Sequence, residues 1–175
     1  MSYATAAEEH PNAALEHADL VALARRIQDL FIERGLTLAT AESCTGGLIG
    51  HVLTEIPGSS DYFVGGLISY RDDVKQSGLG VDEHILANHG AVSAQTCVAM
   101  AHGARSRFGV SYAISVTGIA GPGGGSEAKP VGLTYVGVAD ADGHDVRRNV
   151  WQSDRHGNKV LSARAALELL LERLA

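Results

Sequence analysis

Leu36-Thr37-Leu38-Ala39-Thr40-Ala41-Glu42-Ser43-Cys44-Thr45-Gly46-Gly47-Leu48-Ile49-Gly50-His51-Val52-Leu53 is the stretch on which the fold turns. Leu36 to Ala41 is a short apolar run of strand type, and a polar turn ending in paired glycines follows it. Leu48 to Leu53 then reads as a short helix closed by Pro57-Gly58. A strand that empties through a sharp turn into a helix is a unit of an α/β sheet. Ligands of such sheets gather beyond the carboxyl ends of the strands, where loops meet helix N-termini with unpaired N–H groups.

On the N-terminal side, Leu20, Leu23, Ile27, Leu30 and Phe31 recur at helical spacing up to Gly35, a stop signal. Residues 1–19 are rich in Ala and Glu without a clear apolar period and read as a frayed or weakly helical extension. Residues 20–175 read as one domain. On the C-terminal side, Tyr62 to Tyr70 is a strand candidate with a Gly65-Gly66 pair, followed by a polar helical turn carrying Lys75. Val81 to Asn88 is a short helix, and Ser93 caps a longer one whose Cys97, Met100, Ala101 and Ala104 face the core before Gly109. Tyr112 to Val116 is a buried-type strand. Val131 to Ala139 and Val146 to Trp151 form a hairpin around Asp142-Gly143, and Val160 to Leu174 is an amphipathic helix. Strands alternating with helices, plus that hairpin, predict a three-layer α/β/α sandwich with a mixed, mostly parallel sheet and one antiparallel hairpin.

Composition narrows the function. A formal charge of −6 and a pI near 5.7 argue against nucleic acid as a partner, because affinity for phosphate backbones rests on clustered Lys and Arg. The apolar runs are far shorter than the roughly 18 to 20 residues of a membrane span, and the first residues lack signal-peptide order, so no membrane is expected and the location reads as cytoplasmic. The two cysteines, Cys44 and Cys97, fit neither a disulfide framework nor a metal-ligand spacing. No metal and no cofactor is expected. A homodimer or larger homo-oligomer is the expectation from base rates alone.

Two segments can carry chemistry. In the first, Ser43 stands on the turn, where helix N–H groups could stabilise an oxyanion; the competing reading is that Ser43 or Thr45 merely caps the helix. The second, Thr117-Gly118-Ile119-Ala120-Gly121-Pro122-Gly123-Gly124-Gly125, has glycine at five of nine positions, so its backbone can lie against a ligand. It lacks the Gly-Lys-Ser/Thr of a P-loop, and a surface loop is the competing reading. A nucleophilic serine needs a base. No histidine has triad spacing, whereas Lys75, moved into a partly apolar site, would lose proton affinity, and Tyr70 could pass a proton between it and Ser43. Solvated roles for both remain open. Cys44 is a competing nucleophile, although a packing role is favoured.

Taken together, Ala41-Glu42-Ser43-Cys44-Thr45-Gly46-Gly47, Ile68-Ser69-Tyr70 with Lys75, Gly90-Ala91-Val92-Ser93, and Ser115-Val116-Thr117-Gly118-Ile119-Ala120-Gly121-Pro122 resemble the CinA C-terminal domain family from about Leu20 onward. The resemblance implies a nicotinamide-nucleotide amidase, which hydrolyses nicotinamide mononucleotide to nicotinate mononucleotide and ammonia. It also implies that the family's serine, lysine and tyrosine fall on Ser43, Lys75 and Tyr70. Thr45, Gly46, Gly47, Thr117, Gly118, Gly121 and Arg155 are then the candidates for holding the small-molecule nucleotide. Similar proteins usually carry an acidic residue at the position of Gly123 and an arginine at that of Lys159. A regulatory module that binds a nucleotide without chemistry, and a serine amidase for another small amide, are the alternatives.

Overall fold

A computed structural model of the chain describes the backbone of residues 13–175 and the side chains from His17 onward. The helix expected from Leu20 is α1, Ala13–Arg34, so residues 13–19 of the expected N-terminal extension are helical and continuous with it. Residues 1–12 lie outside the described part. The element order continues as β1 Leu38–Glu42, α2 Leu48–Thr54, β2 Phe63–Ile68, α3 Asp72–Leu79, α4 Glu83–His89 and α5 Ala94–Phe108. It ends with β3 Tyr112–Gly118, β4 Leu133–Ala139, β5 His144–Val150 and α6 Arg155–Arg173.

The strand order is β2-β1-β3-β4-β5. β1 pairs in parallel with β2 and β3, while β4 is antiparallel to both β3 and β5, so β4 alone runs against the other strands. The middle of the sheet is where the strands are most completely buried. All of β1 is buried, as are the five central residues of β3, whereas the edge strand β2 alternates between half-buried and exposed. The central strands are covered on both faces, and the polar side chains they carry, Thr40, Glu42, Ser115 and Thr117, are buried with them.

Alternation splits the strands between two cores. Leu38, Ile114 and Val116 join Leu20, Ile27 and Phe31 of α1, Ile49 and Leu53 of α2, and Leu167 and Leu170 of α6 on one face. Ala39, Ala41 and Ala113 meet Met100 and Ala104 of α5 with Leu79 of α3 and Leu86 of α4 on the other. The residues facing α5 are small, which lets it lie close to the sheet; the larger aliphatics fill the opposite side. Three layers result, as the alternation of strands and helices predicts.

Helix ends follow local chemistry. Ser93 Oγ accepts the Thr96 N–H to cap α5, and Gly109 ends that helix at φ 63°. α6 begins at Arg155, five residues before its apolar period, because Asp154 caps it by accepting the Gly157 N–H. That polar first turn brings Arg155 and Lys159 into a helix facing the turn that carries Ser43.

Candidate functional site

Ser43 stands one residue past the end of β1, the strand flanked by β2 and β3 at the middle of the parallel part of the sheet. Its N–H donates to Val116 O of β3 at 2.9 Å, which fixes the turn against the sheet. Gly46 and Gly47 have φ of 64° and 95°. These left-handed values favour glycine, and they fold the chain back so that α2 can start directly above the strand.

The amides of this turn are only partly free for the oxyanion that helix N–H groups beside Ser43 are expected to stabilise. Gly46 N–H donates to Ser43 O, and the Glu42 carboxylate accepts the N–H groups of Gly47, Ile49 and Gly50 at 3.0, 3.1 and 2.9 Å. Glu42 thereby caps α2 from below and quenches the positive end of its dipole. Among the described hydrogen bonds, only the amides of Cys44 and Thr45 within the turn remain without an acceptor. No local motif signals Glu42, because its five-residue offset from Gly47 is not that of a capping box.

Lys75 reaches the turn from α3. Its side chain is 1% exposed, and its Nζ lies 2.9 Å from Ser69 O, 3.2 Å from Tyr70 O and 3.4 Å from Ser43 Oγ. Burial holds its pKa below the usual 10.5, opposed by the nearby Asp72 carboxylate at 3.7 Å. The neutral amine has two N–H groups for the two carbonyls and a lone pair for the serine. The carbonyls thus orient it toward Ser43.

Tyr70 is in the same place in a different role. Its carbonyl, not its hydroxyl, meets Lys75, while the hydroxyl accepts from Arg155 Nη2 at 3.1 Å. A relay through the Tyr70 hydroxyl between Ser43 and Lys75 is not what this arrangement provides. Arg155 Nη1 also donates to Gly121 O at 2.6 Å, so Arg155 bridges Tyr70 and the glycine-rich loop. Asn158, absent from the expected set, donates to Ala120 O at 3.0 Å and accepts from Ser153 N–H, tying the same loop to α6. Its only sequence signal is a polar residue one helical turn after the Asp154 cap.

Ser43, Cys44, Tyr70, Lys75, Thr117, Gly118, Gly121 and Arg155 share the lining of a chamber of about 230 Å³. Gly123 and Gly124 also line it. Two of the expected contacts are not available through their side chains. Thr117 Oγ1 donates to Ala91 O at 2.7 Å, and Thr45 is fully buried with its hydroxyl unpartnered. Burial pushes the Cys44 thiol up to about 12, which removes the thiolate a cysteine nucleophile needs.

The fold and this site define an α/β/α sandwich protein with a buried serine–lysine pair at the end of a central strand. The chain belongs to the CinA C-terminal domain family, whose profile matches residues 20–174. It is 49% identical to a CinA-like protein of Salinibacter ruber over 85% of its own length and 36% of that protein's. With a CinA-like protein of Synechocystis it shares 51% identity over 83% of its length and 36% of the relative's. The chain thus spans about a third of the length of the curated relatives it matches. Among solved structures, the competence/damage inducible protein CihA of Agrobacterium tumefaciens superposes with a TM-score of 0.86 at 45% identity, covering 88% of this chain and 94% of that one. A competence or damage-inducible protein of Enterobacter asburiae gives a TM-score of 0.86 at 28% identity, covering 89% and 98%. Among the described residues, no helix is long and apolar enough to cross a membrane.

Proposed function

We propose that the chain is an amidohydrolase that deamidates nicotinamide mononucleotide to nicotinate mononucleotide and ammonia, with Ser43 as nucleophile and Lys75 as base. The observation that carries this reading is the buried Lys75 Nζ at 3.4 Å from Ser43 Oγ, with its proton affinity lowered by burial. A lysine kept from water serves a base better than a structural partner, since an ammonium there would forfeit hydration.

Neutral Lys75 takes the proton from Ser43 as the serine oxygen attacks the carboxamide carbon. The oxyanion falls to the amides of Cys44 and Thr45, the donors left over once Ser43 O has taken the Gly46 N–H and Glu42 the Gly47 N–H. The tetrahedral intermediate collapses as the Lys75 ammonium gives its proton to the departing nitrogen, which leaves as ammonia. A nicotinoyl ester then remains on Ser43. Water adds to that ester with Lys75 again accepting a proton, and the acid departs with the serine restored.

The test is ammonia release from nicotinamide mononucleotide by the wild type beside Ser43→Ala and Cys44→Ala. The expected outcome is turnover that disappears with Ser43→Ala, by a factor of about 10⁴ or more, and survives Cys44→Ala. A Ser43→Ala variant with near-normal turnover overturns the mechanism. A wild type that binds the nucleotide but releases no ammonia moves the protein to the regulatory class, and ammonia from a non-phosphorylated amide alone moves it to another substrate.

A further inference from the structure

Histidines are scattered along the chain without ligand spacing, yet the fold brings His17 to His51 and His102 to His144. The two pairs differ in what stands between the rings. His17 and His51 bond separate oxygens of Glu55, at 2.7 and 3.2 Å, so a carboxylate occupies the space between their nitrogens. His102 Nε2 and His144 Nδ1 face each other directly at 3.0 Å, with the rings at 90°. They are 42 residues apart in the chain, so no sequence spacing could announce them.

Both backbones are fixed. His102 follows Ala101 on α5, a helix seated by its buried Met100, Ala101 and Ala104. His144 opens β5 in register with buried Ala139 of β4. Between the two nitrogens there is room for one shared proton, donated by one ring and accepted by the other. Two nitrogens about 2.1 Å from one ion stand about 3.0 Å apart when their bonds meet at right angles, and about 3.4 Å apart in a tetrahedron. The observed separation is therefore already that of two neighbouring ligands on one ion. Such an ion sits to one side of the line between the nitrogens, which rotation about the broad χ2 of histidine allows. His102 also lines an open groove of about 610 Å³ beside Leu79, Gly80 and Asp82, which gives a hydrated ion its path of entry.

We propose that His102 and His144 form a two-imidazole site for one divalent cation of the Zn²⁺, Ni²⁺ or Cu²⁺ type, which staples α5 to the edge strand β5. Among the described residues no group of three or more His, Cys, Asp or Glu side chains is placed to hold a metal, so the site is a pair completed by water. Asp140, at the end of β4, is spent on Arg173 and on the amides of Asp142 and Gly143. Without a carboxylate ligand, Mg²⁺ and Ca²⁺ find little to bind, whereas imidazole suits the later transition metals. Neither histidine lines the Ser43 chamber, so the site stands independently of the amidase reading.

The experiment titrates the untagged full chain, first stripped with a chelator, with Ni²⁺ and with Mg²⁺ by calorimetry, beside His102→Ala, His144→Gln and His51→Ala. His144→Gln keeps a hydrogen-bonding side chain at an exposed position while removing the imidazole, and His51→Ala perturbs only the Glu55 cluster. The wild type is expected to bind one Ni²⁺ at the pair and to melt at a higher temperature with it. His102→Ala and His144→Gln each lower the Ni²⁺ affinity by about 10-fold or more and remove the thermal shift, while their metal-free melting temperatures stay with that of the wild type. His51→Ala does neither. A wild type that binds no Ni²⁺, or that binds Mg²⁺ as tightly, overturns the site. Unchanged Ni²⁺ binding in both pair variants overturns it too, and loss confined to His51→Ala does the same by moving the ion to the Glu55 cluster.

Discussion

Lys75 is where the pH dependence of the proposed chemistry originates. It acts as a base only when neutral, and burial makes the neutral form accessible at lower pH than for a lysine in water. The rate, followed as kcat/KM against pH, is therefore expected to rise along a limb whose midpoint lies below 10.5. Asp72 pulls the other way, because its carboxylate stabilises the ammonium. Asp72→Asn is expected to move the limb further toward acid, and a shift toward alkali would show that Lys75 is not the titrating base. Ser43, Lys75 and Tyr70 were each readable in the sequence as residue types with the right chemistry. Their relation was not, because it depends on which atom of Tyr70 meets the amine. That atom is the carbonyl, since Tyr70 follows the end of β2 with its ring outward and 56% exposed.

At the scale of the element, the Ser43 turn is held by Glu42 rather than by a side chain inside the turn. Removing that carboxylate leaves the amides of Gly47, Ile49 and Gly50, at and before the start of α2, without their acceptor. Glu42→Ala is expected to cost about 2 kcal/mol, or roughly 4–8 °C in Tm for a domain of this size, measured by thermal unfolding. Activity should fall more than stability accounts for, because the freed amides change the electrostatics beside Ser43. A Tm within 1 °C of wild type, a bound set well inside the expected ~4 °C, would show that solvent replaces the cap. Most elements were legible from apolar periodicity: β1, β2, β3 and the hairpin all fall within a few residues of their expected places. The start of α6 was not. Its first turn is polar on every side and buries Asn158 by hydrogen bonding, so no hydrophobic period could announce it.

At the scale of the molecule, the hairpin and the last helix are joined by charge. Arg173 of α6 reaches Asp140 at 2.8 Å and Asp145 at 3.0 Å, and its hydrogen bond to Asp140 is the chief reason that carboxyl lies below its usual 3.8. A depressed carboxyl pKa contributes stability that is present above the unfolded value and lost as pH falls through the folded one. Arg173→Met is therefore expected to be less stable than wild type in urea unfolding at pH 7, with a smaller further loss on going below pH 3.8. Parallel acid profiles of the two proteins would count against the linkage. The sequence by itself determined the three-layer sandwich, since the strand runs, helical periods and turn residues all act over short range and agree with one another. It also determined the residue types at the site. Only the tertiary structure decided which backbone amides are spent on Glu42, which atom of Tyr70 meets Lys75, and that Lys159 overhangs Gly46. The last of these joins residues far apart in the chain, and the first two, though their partners are only five residues apart, depend on how the strands and helices around them pack. They are set by where strand ends and helix starts converge at the carboxyl end of the parallel strands, and no local pattern encodes that convergence.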